Sequence, residues 1–166
     1  LAGLGVDVSM VREIPGRGSA IYLSILNPNR DMHLGLCDME IIQELTAADI
    51  RKAGTVFESA AAVALDGNLE EEMLRDATEI LSDKMLFYDP LSANKAHRAK
   101  ACIGRFHSIK PNLIEAEVLS GMKIETDEEL RNAARYFLDK GVKNVYITLN
   151  CDGVYFKNKE KEGFIR

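Results

Sequence analysis

Between residues 60 and 149, short apolar runs alternate with capped helical stretches, and this rhythm restricts the fold more than any other feature. Residues 60–65, 85–88, 106–109 and 145–149 are short apolar runs that read as buried strands. After the first, Asn68 is positioned to cap a helix in which Leu69, Met73, Ala77, Ile80 and Leu81 recur at helical spacing. Residues 94–101 form the next expected helix. Thr126 and Glu129 then spell a capping box, with acids on the positive helix end. Leu130, Ala133, Ala134, Phe137 and Leu138 make that helix's buried stripe, and Gly141 ends it. Residues 153–156 return as a strand. Alternation of this kind predicts a mainly parallel sheet covered on both faces.

The first 40 residues differ. Residues 1–18 run from a helix end closed by Gly5 into an extended segment over 10–14. A β-hairpin is expected from residues 21–26 and 32–36, joined by the turn Asn27-Pro28-Asn29-Arg30-Asp31. Pattern alone leaves two readings open, an edge hairpin on the core and a flap over a ligand. Thr46 can cap a helix over 47–57.

With 166 residues the chain is long enough for one core and short for two. Its first residue is Leu, and the opening on a helix end suggests a missing N-terminal portion. Net charge is −5, from 26 acids against 21 bases, which argues against a nucleic-acid surface. Three cysteines and three histidines are scattered without zinc spacing, and free thiols suit a reducing cytoplasm. No run reaches membrane-span length, and no secretory signal pattern opens the chain.

The stretch over 108–121 holds a distinctive corner. Pro111 disfavours helix at Lys110, so the backbone arrives extended. Asn112 and Glu115 take capping-box positions, and Gly121 can end the helix that follows. Such a corner serves as a plain cap or as a seat for an anion or metal–phosphate complex. The same Asn-x-x-Glu recurs at Asn68–Glu71, so spacing does not choose between them. Position in the chain adds to it. Asp66-Gly67-Asn68, Asp89, Lys110 to Asn112 and Asn150 all follow strand ends and should line one rim, where parallel sheets bind ligands.

The order of these pieces resembles the ribokinase-like, or PfkB, carbohydrate kinase family. The resemblance rests on the hairpin ahead of an α/β core, Lys110-Pro111-Asn112-Leu113-Ile114-Glu115-Ala116-Glu117, the strand ending Thr148-Leu149, and Asp152-Gly153-Val154. Within the family, Tyr22 to Leu26, Cys37 to Glu40, Leu65 to Leu69 and Asp89 to Ser92 look most like the pseudouridine kinases. The implied fold is a ribokinase-like three-layer sandwich with a mainly parallel sheet and a small β lid hairpin. It would be one incomplete domain over 1–166, with a lid segment about 10–38 and a core about 41–166.

The implied activity is ATP-dependent transfer of phosphate to a primary hydroxyl of a sugar or nucleoside, for pseudouridine the 5′ group of the ribose. By the resemblance Asn112, Glu115 and Asp89 belong to the Mg2+ and phosphate site. Lys110, Thr148, Asn150 and Gly153 belong to the nucleotide, and Tyr22, Ser24 and Asn68 to the substrate. From the residues alone, Lys110 also reads as a solvated strand-end lysine, Asp89 as turn chemistry and Asn68 as a cap. The family commonly has Thr-Leu-Gly-x-x-Gly where this chain has Thr148-Leu149-Asn150-Cys151-Asp152-Gly153; asparagine tolerates the left-handed turn that glycine would take.

The family's Gly-Ala-Gly-Asp motif, which carries its catalytic aspartate, and its N-terminal Gly-Gly motif are both missing. The chain is therefore expected to be the middle of a kinase, with no general base and negligible activity alone. The rival reading is a non-catalytic ligand-binding or dimerising module. An exposed edge in the hairpin would invite a homodimer. A dinucleotide domain is disfavoured, since no G-x-G-x-x-G follows a strand.

Overall fold

The computed structural model describes residues 1–29 and 32–165. Arg30 and Asp31, the last two residues of the expected hairpin turn, and Arg166 lie outside the described residues. The chain opens with a 3₁₀ turn over Ala2–Leu4, closed by Gly5 at φ 79. Residues 10–14 form no strand. The hairpin forms as expected, with β1 (Ile21–Leu26) antiparallel to β2 (Met32–Asp38).

A 3₁₀ stretch over Glu40–Glu44 leads into α1 (Ala47–Lys52) and α2 (Gly54–Ser59). These replace the single helix expected over 47–57. Ala53 sits between them at ψ 13, and Gly54 is a weak helix former, so the ladder breaks there. The α/β core follows as β3 (Ala62–Asp66), α3 (Glu71–Ile80), β4 (Met85–Asp89) and α4 (Ala93–Ala96). Next come β5 (Ser108–Ile109), α5 (Leu113–Ser120), α6 (Asp127–Lys140) and β6 (Asn144–Thr148). The sheet closes with β7 (Val154–Lys157) and β8 (Glu162–Ile165).

Two local expectations are corrected. The helix after β3 is capped by Glu70, not Asn68. The Asp66 carboxylate accepts from the Asn68 amide at 2.8 Å and the Asp66 carbonyl from Leu69, so the chain bends before the helix starts. The expected helix over 94–101 is α4 followed by a 3₁₀ turn over His97–Ala99.

The six-stranded sheet runs β3-β4-β5-β6-β7-β8 in chain order, parallel through β6 and antiparallel beyond it. A parallel sheet that always grows in one direction has a physical consequence. Right-handed crossovers then place every intervening helix on the same face. Leu86, Tyr88, Ile109, Val145, Ile147 and Tyr155 are buried on that face, against Leu74, Ala77, Ala116, Leu119, Ala133 and Phe137. The other face is open: Met85 is 45 %, Phe87 40 % and Tyr146 38 % exposed. The mainly parallel sheet agrees with expectation. Cover on both faces does not hold within these residues, because cover on both sides needs strands added in both directions.

Candidate functional site

Side chains alternate across a strand, so the open face can be followed upward residue by residue. Ala64, Phe87, Ser108 and Tyr146 lie on it, and two residues further along each strand line come Asp66, Asp89, Lys110 and Thr148. Register confirms the alignment. Asp66 pairs with Asp89 across β3 and β4, and the Lys110 amide donates to the Tyr88 carbonyl at 3.0 Å. These four polar residues share the lining of one cavity of about 660 Å³, with Phe87 and Tyr146 forming its apolar floor. The cavity thus sits where the open face meets the carboxyl ends of the strands.

The corner over 110–115 joins this row. Asn112 makes a parallel bridge to Thr148, whose amide donates to the Pro111 carbonyl at 3.0 Å. Asn112 caps α5: its Oδ1 accepts from the Glu115 amide at 2.9 Å, and Glu115 Oε2 accepts from the Asn112 amide at 2.8 Å. Glu115 is only 4 % exposed. Burial pushes its carboxyl above the usual range; the Asn112 amide opposes this, nearby Asp89 adds to it, and Lys110 opposes it. A cap needs no buried acid, so the residue is more costly than its capping role requires.

Asp89 and Lys110 form an ion pair at 2.8 Å, and the Leu91 amide donates to the other Asp89 oxygen at 3.2 Å. Leu91 lines the cavity at φ 65, a left-handed conformation that costs a leucine about 1–2 kcal/mol. Strain of this kind collects at ligand sites. Sequence reasoning puts Asp66 on the rim without giving it a role, and it misses Leu91. A role for Asp66 could have been found from its register with Asp89; nothing in Asp89-Pro90-Leu91 announces a left-handed leucine.

The oxygen donors suit a hard cation carried on phosphate. Magnesium usually takes one or two carboxylates, keeps several waters and shares phosphate oxygens. Asp89 fits direct contact, and Glu115, buried with one oxygen on the Asn112 amide, fits contact through water. Among the described residues no group of three His, Cys, Asp or Glu could hold a metal unaided.

The other expected residues lie elsewhere. Asn150 takes φ 54 and Gly153 φ 94, so the turn after Thr148 keeps its left-handed positions without the glycine at 150. That turn borders a separate cavity of about 350 Å³ lined by Asp127, Leu149, Cys151, Asp152 and Phe164. Asn68 is not among the residues lining the main cavity, and its carboxamide oxygen accepts from Lys95 Nζ at 2.7 Å. Tyr22 and Ser24 lie on the hairpin, 57 % exposed in the case of Tyr22, and no hairpin residue among those described lines the cavity.

The pattern of the pfkB family carbohydrate kinases matches residues 1–166. Pseudouridine kinase of Escherichia coli (strain K12) is 29 % identical over 157 residues, covering 95 % of this chain and 50 % of that protein. The solved structure of a putative sugar kinase from Clostridium perfringens is 35 % identical with a TM-score of 0.75, over 90 % of this chain and 48 % of that one. Ribokinase from Giardia lamblia shares the fold at 13 % identity and a TM-score of 0.79, over 92 % and 49 %. The chain spans about half the length of these proteins.

Proposed function

This chain belongs to the pfkB family of carbohydrate kinases, and we propose that its rim holds the phosphate end of ATP for transfer to a primary hydroxyl of a sugar or nucleoside. The specific substrate we assign is pseudouridine, phosphorylated on the ribose 5′-hydroxyl. One observation carries the reading: Asp89, Lys110, Asn112 and Thr148 leave three neighbouring strand lines and meet at one rim, with the buried acid Glu115 beside them. The pseudouridine assignment is supported by the Escherichia coli relative.

Lys110 acts as a point charge on phosphate, while Thr148, Asn150 and Gly153 follow the nucleotide. Asp89 and Glu115 would hold magnesium, which when bound would offset charge on the transferring group. Tyr22, Ser24 and Asn68 serve the substrate side. Phosphoryl transfer is mostly positioning and charge stabilisation, yet we assign the role of base for the attacking hydroxyl to none of these residues, so this chain alone should turn over negligibly. The test joins it to the C-terminal half of Escherichia coli pseudouridine kinase and supplies ATP with pseudouridine, ribose or fructose. Preference for pseudouridine is expected. Equal rates on all three would reject the substrate, and no turnover on any would reject the kinase. No helix among the described residues is long and apolar enough to cross a membrane. A reducing cytoplasm suits Cys37, Cys102 and Cys151, all free thiols.

The hairpin supports a second role, as a homodimer contact. Its register sets Ile21, Leu23 and Ile25 beside Leu36 and Leu34 on one face, and Tyr22 and Ser24 beside Cys37 and Gly35 on the other. The five apolar side chains of the first face are each at least 43 % exposed. A lone two-stranded hairpin is marginal in water, so this face gains most from a second copy, leaving the Tyr22 face for substrate. Leu23→Glu should convert dimer to monomer in sedimentation equilibrium, whereas Ser24→Asn should leave the mass unchanged. A wild-type chain that sediments as monomer at high concentration rules the dimer out.

A further inference from the structure

The rim that should receive phosphate is acidic. Among the residues lining the cavity, Asp66 and Asp89 face one ammonium, Lys110, which Asp89 already holds at 2.8 Å, and Glu115 lies buried close by. Lys95 is engaged on Asn68, and Arg98 on the Gly67 and Asn68 carbonyls and Glu70. A polyphosphate arriving without a cation meets repulsion from three carboxylates. It must also draw Lys110 away from its partner before gaining any attraction. We propose that Asp89 is a latch on Lys110, so that this rim admits polyphosphate only in company with a divalent cation. The proposal rests on the phosphate reading given above and assigns to Asp89 the choice between metal-bound and metal-free ligand.

Three features favour a latch over a stabilising salt bridge. The Lys110 and Asp89 side chains are 56 % and 35 % exposed, and pairs that open to water contribute little to folding. Lysine is a single charge on a flexible stem, free to swing from one anion to another. Asp89 is less free, since its second oxygen accepts from the Leu91 amide in the strained turn. The carboxylate therefore stays at the rim while the ammonium moves. A cation facing Asp89 would occupy the oxygen that Lys110 now uses, and Lys110 would be released toward phosphate. Neighbouring Asp66 lies on the same face and likewise gives one oxygen to a backbone amide, that of Asn68, but Lys110 pairs with Asp89 and not with it, so Asp66 repels without latching.

Inorganic tripolyphosphate tests this without a sugar, a nucleoside or turnover. Its binding to the 166-residue chain is measured by titration calorimetry, in EDTA and in magnesium, with circular dichroism to confirm that each variant folds. Wild type should bind in magnesium and weakly in EDTA. Asp89→Asn keeps an acceptor for the Leu91 amide and removes the latch. Its metal-free affinity should rise about two- to fivefold, the scale expected for releasing one exposed, screened charge pair. The gain should vanish in Asp89→Asn/Lys110→Met and should be smaller in Asp66→Asn. An equal gain in Asp66→Asn, or one that survives without Lys110, overturns the latch by showing bulk repulsion alone. Loss of magnesium-dependent binding in Lys110→Met with no gain in Asp89→Asn overturns the latch but keeps the phosphate site. Binding that ignores Lys110 altogether, or no binding in any form, overturns both.

Discussion

Gly67→Ala is expected to lower stability by about 3 kcal/mol, the scale of an overpacked site, and to abolish binding of magnesium nucleotide. The Gly67 amide donates to the Asp89 carbonyl at 2.9 Å, which brings the loops after β3 and β4 into contact. A Cβ at residue 67 would stand 1.9 Å from the Pro90 carbonyl oxygen and 2.7 Å from its carbon. Both obstacles are backbone, so no rotamer relieves the clash. One loop must move, and each carries a carboxylate of the rim. Gly54 provides the contrast. It begins α2, and a methyl group added there would meet nothing within 4 Å, so Gly54→Ala should raise stability by about 0.4–1 kcal/mol. Urea unfolding and nucleotide calorimetry on the two variants measure both effects. Equal stability for Gly67→Ala and wild type would mean that the two loops are not locked together.

The close contact at Gly67 marks what a linear sequence conveys least: the approach of two loops that are remote along the chain. Local signals are well legible. The capping boxes at Thr126 and Asn112, the glycine stops at 121 and 141, and the turn kept by Asn150 each depend on neighbours within a few residues. Convergence of Asp89, Asn112 and Thr148 is also legible, because parallel strands must present their carboxyl ends together. What fails depends on competition or on distance. Asn68 has the chemistry of a cap, but its carboxamide oxygen, the atom that would cap, accepts instead from Lys95 Nζ, 27 residues away. β8 escapes notice because Glu160, Lys161 and Glu162 hide its alternation, while the turn that aims it is made by Asn158 accepting from the amides of Glu160 and Lys161. The uncovered face escapes notice because strand–helix alternation gives the layers but not the direction in which strands are added.

Glu115→Gln should separate the two meanings of the Asn112–Glu115 pair, since it moves stability and binding in opposite directions. Glutamine is an acceptable capping-box partner, so the bond from the Asn112 amide can persist. What disappears is a charge that burial disfavours and Asp89 repels. A carboxyl whose folded pKa lies above its unfolded value of 4.5 binds its proton more tightly when folded, so it opposes folding once ionised. Wild-type stability should therefore fall as pH rises from 4.5 through the folded pKa. The glutamine variant should lack that decline and show the higher urea midpoint at pH 7, the two converging below pH 4.5. Magnesium nucleotide should bind about 10–100-fold more weakly, the usual loss when a group that orients metal-bound water is changed. If Glu115 were only a cap, binding would be untouched while stability rose. That outcome would leave the chain with a buried acid that serves no ligand, and it would remove Glu115 from the phosphate site.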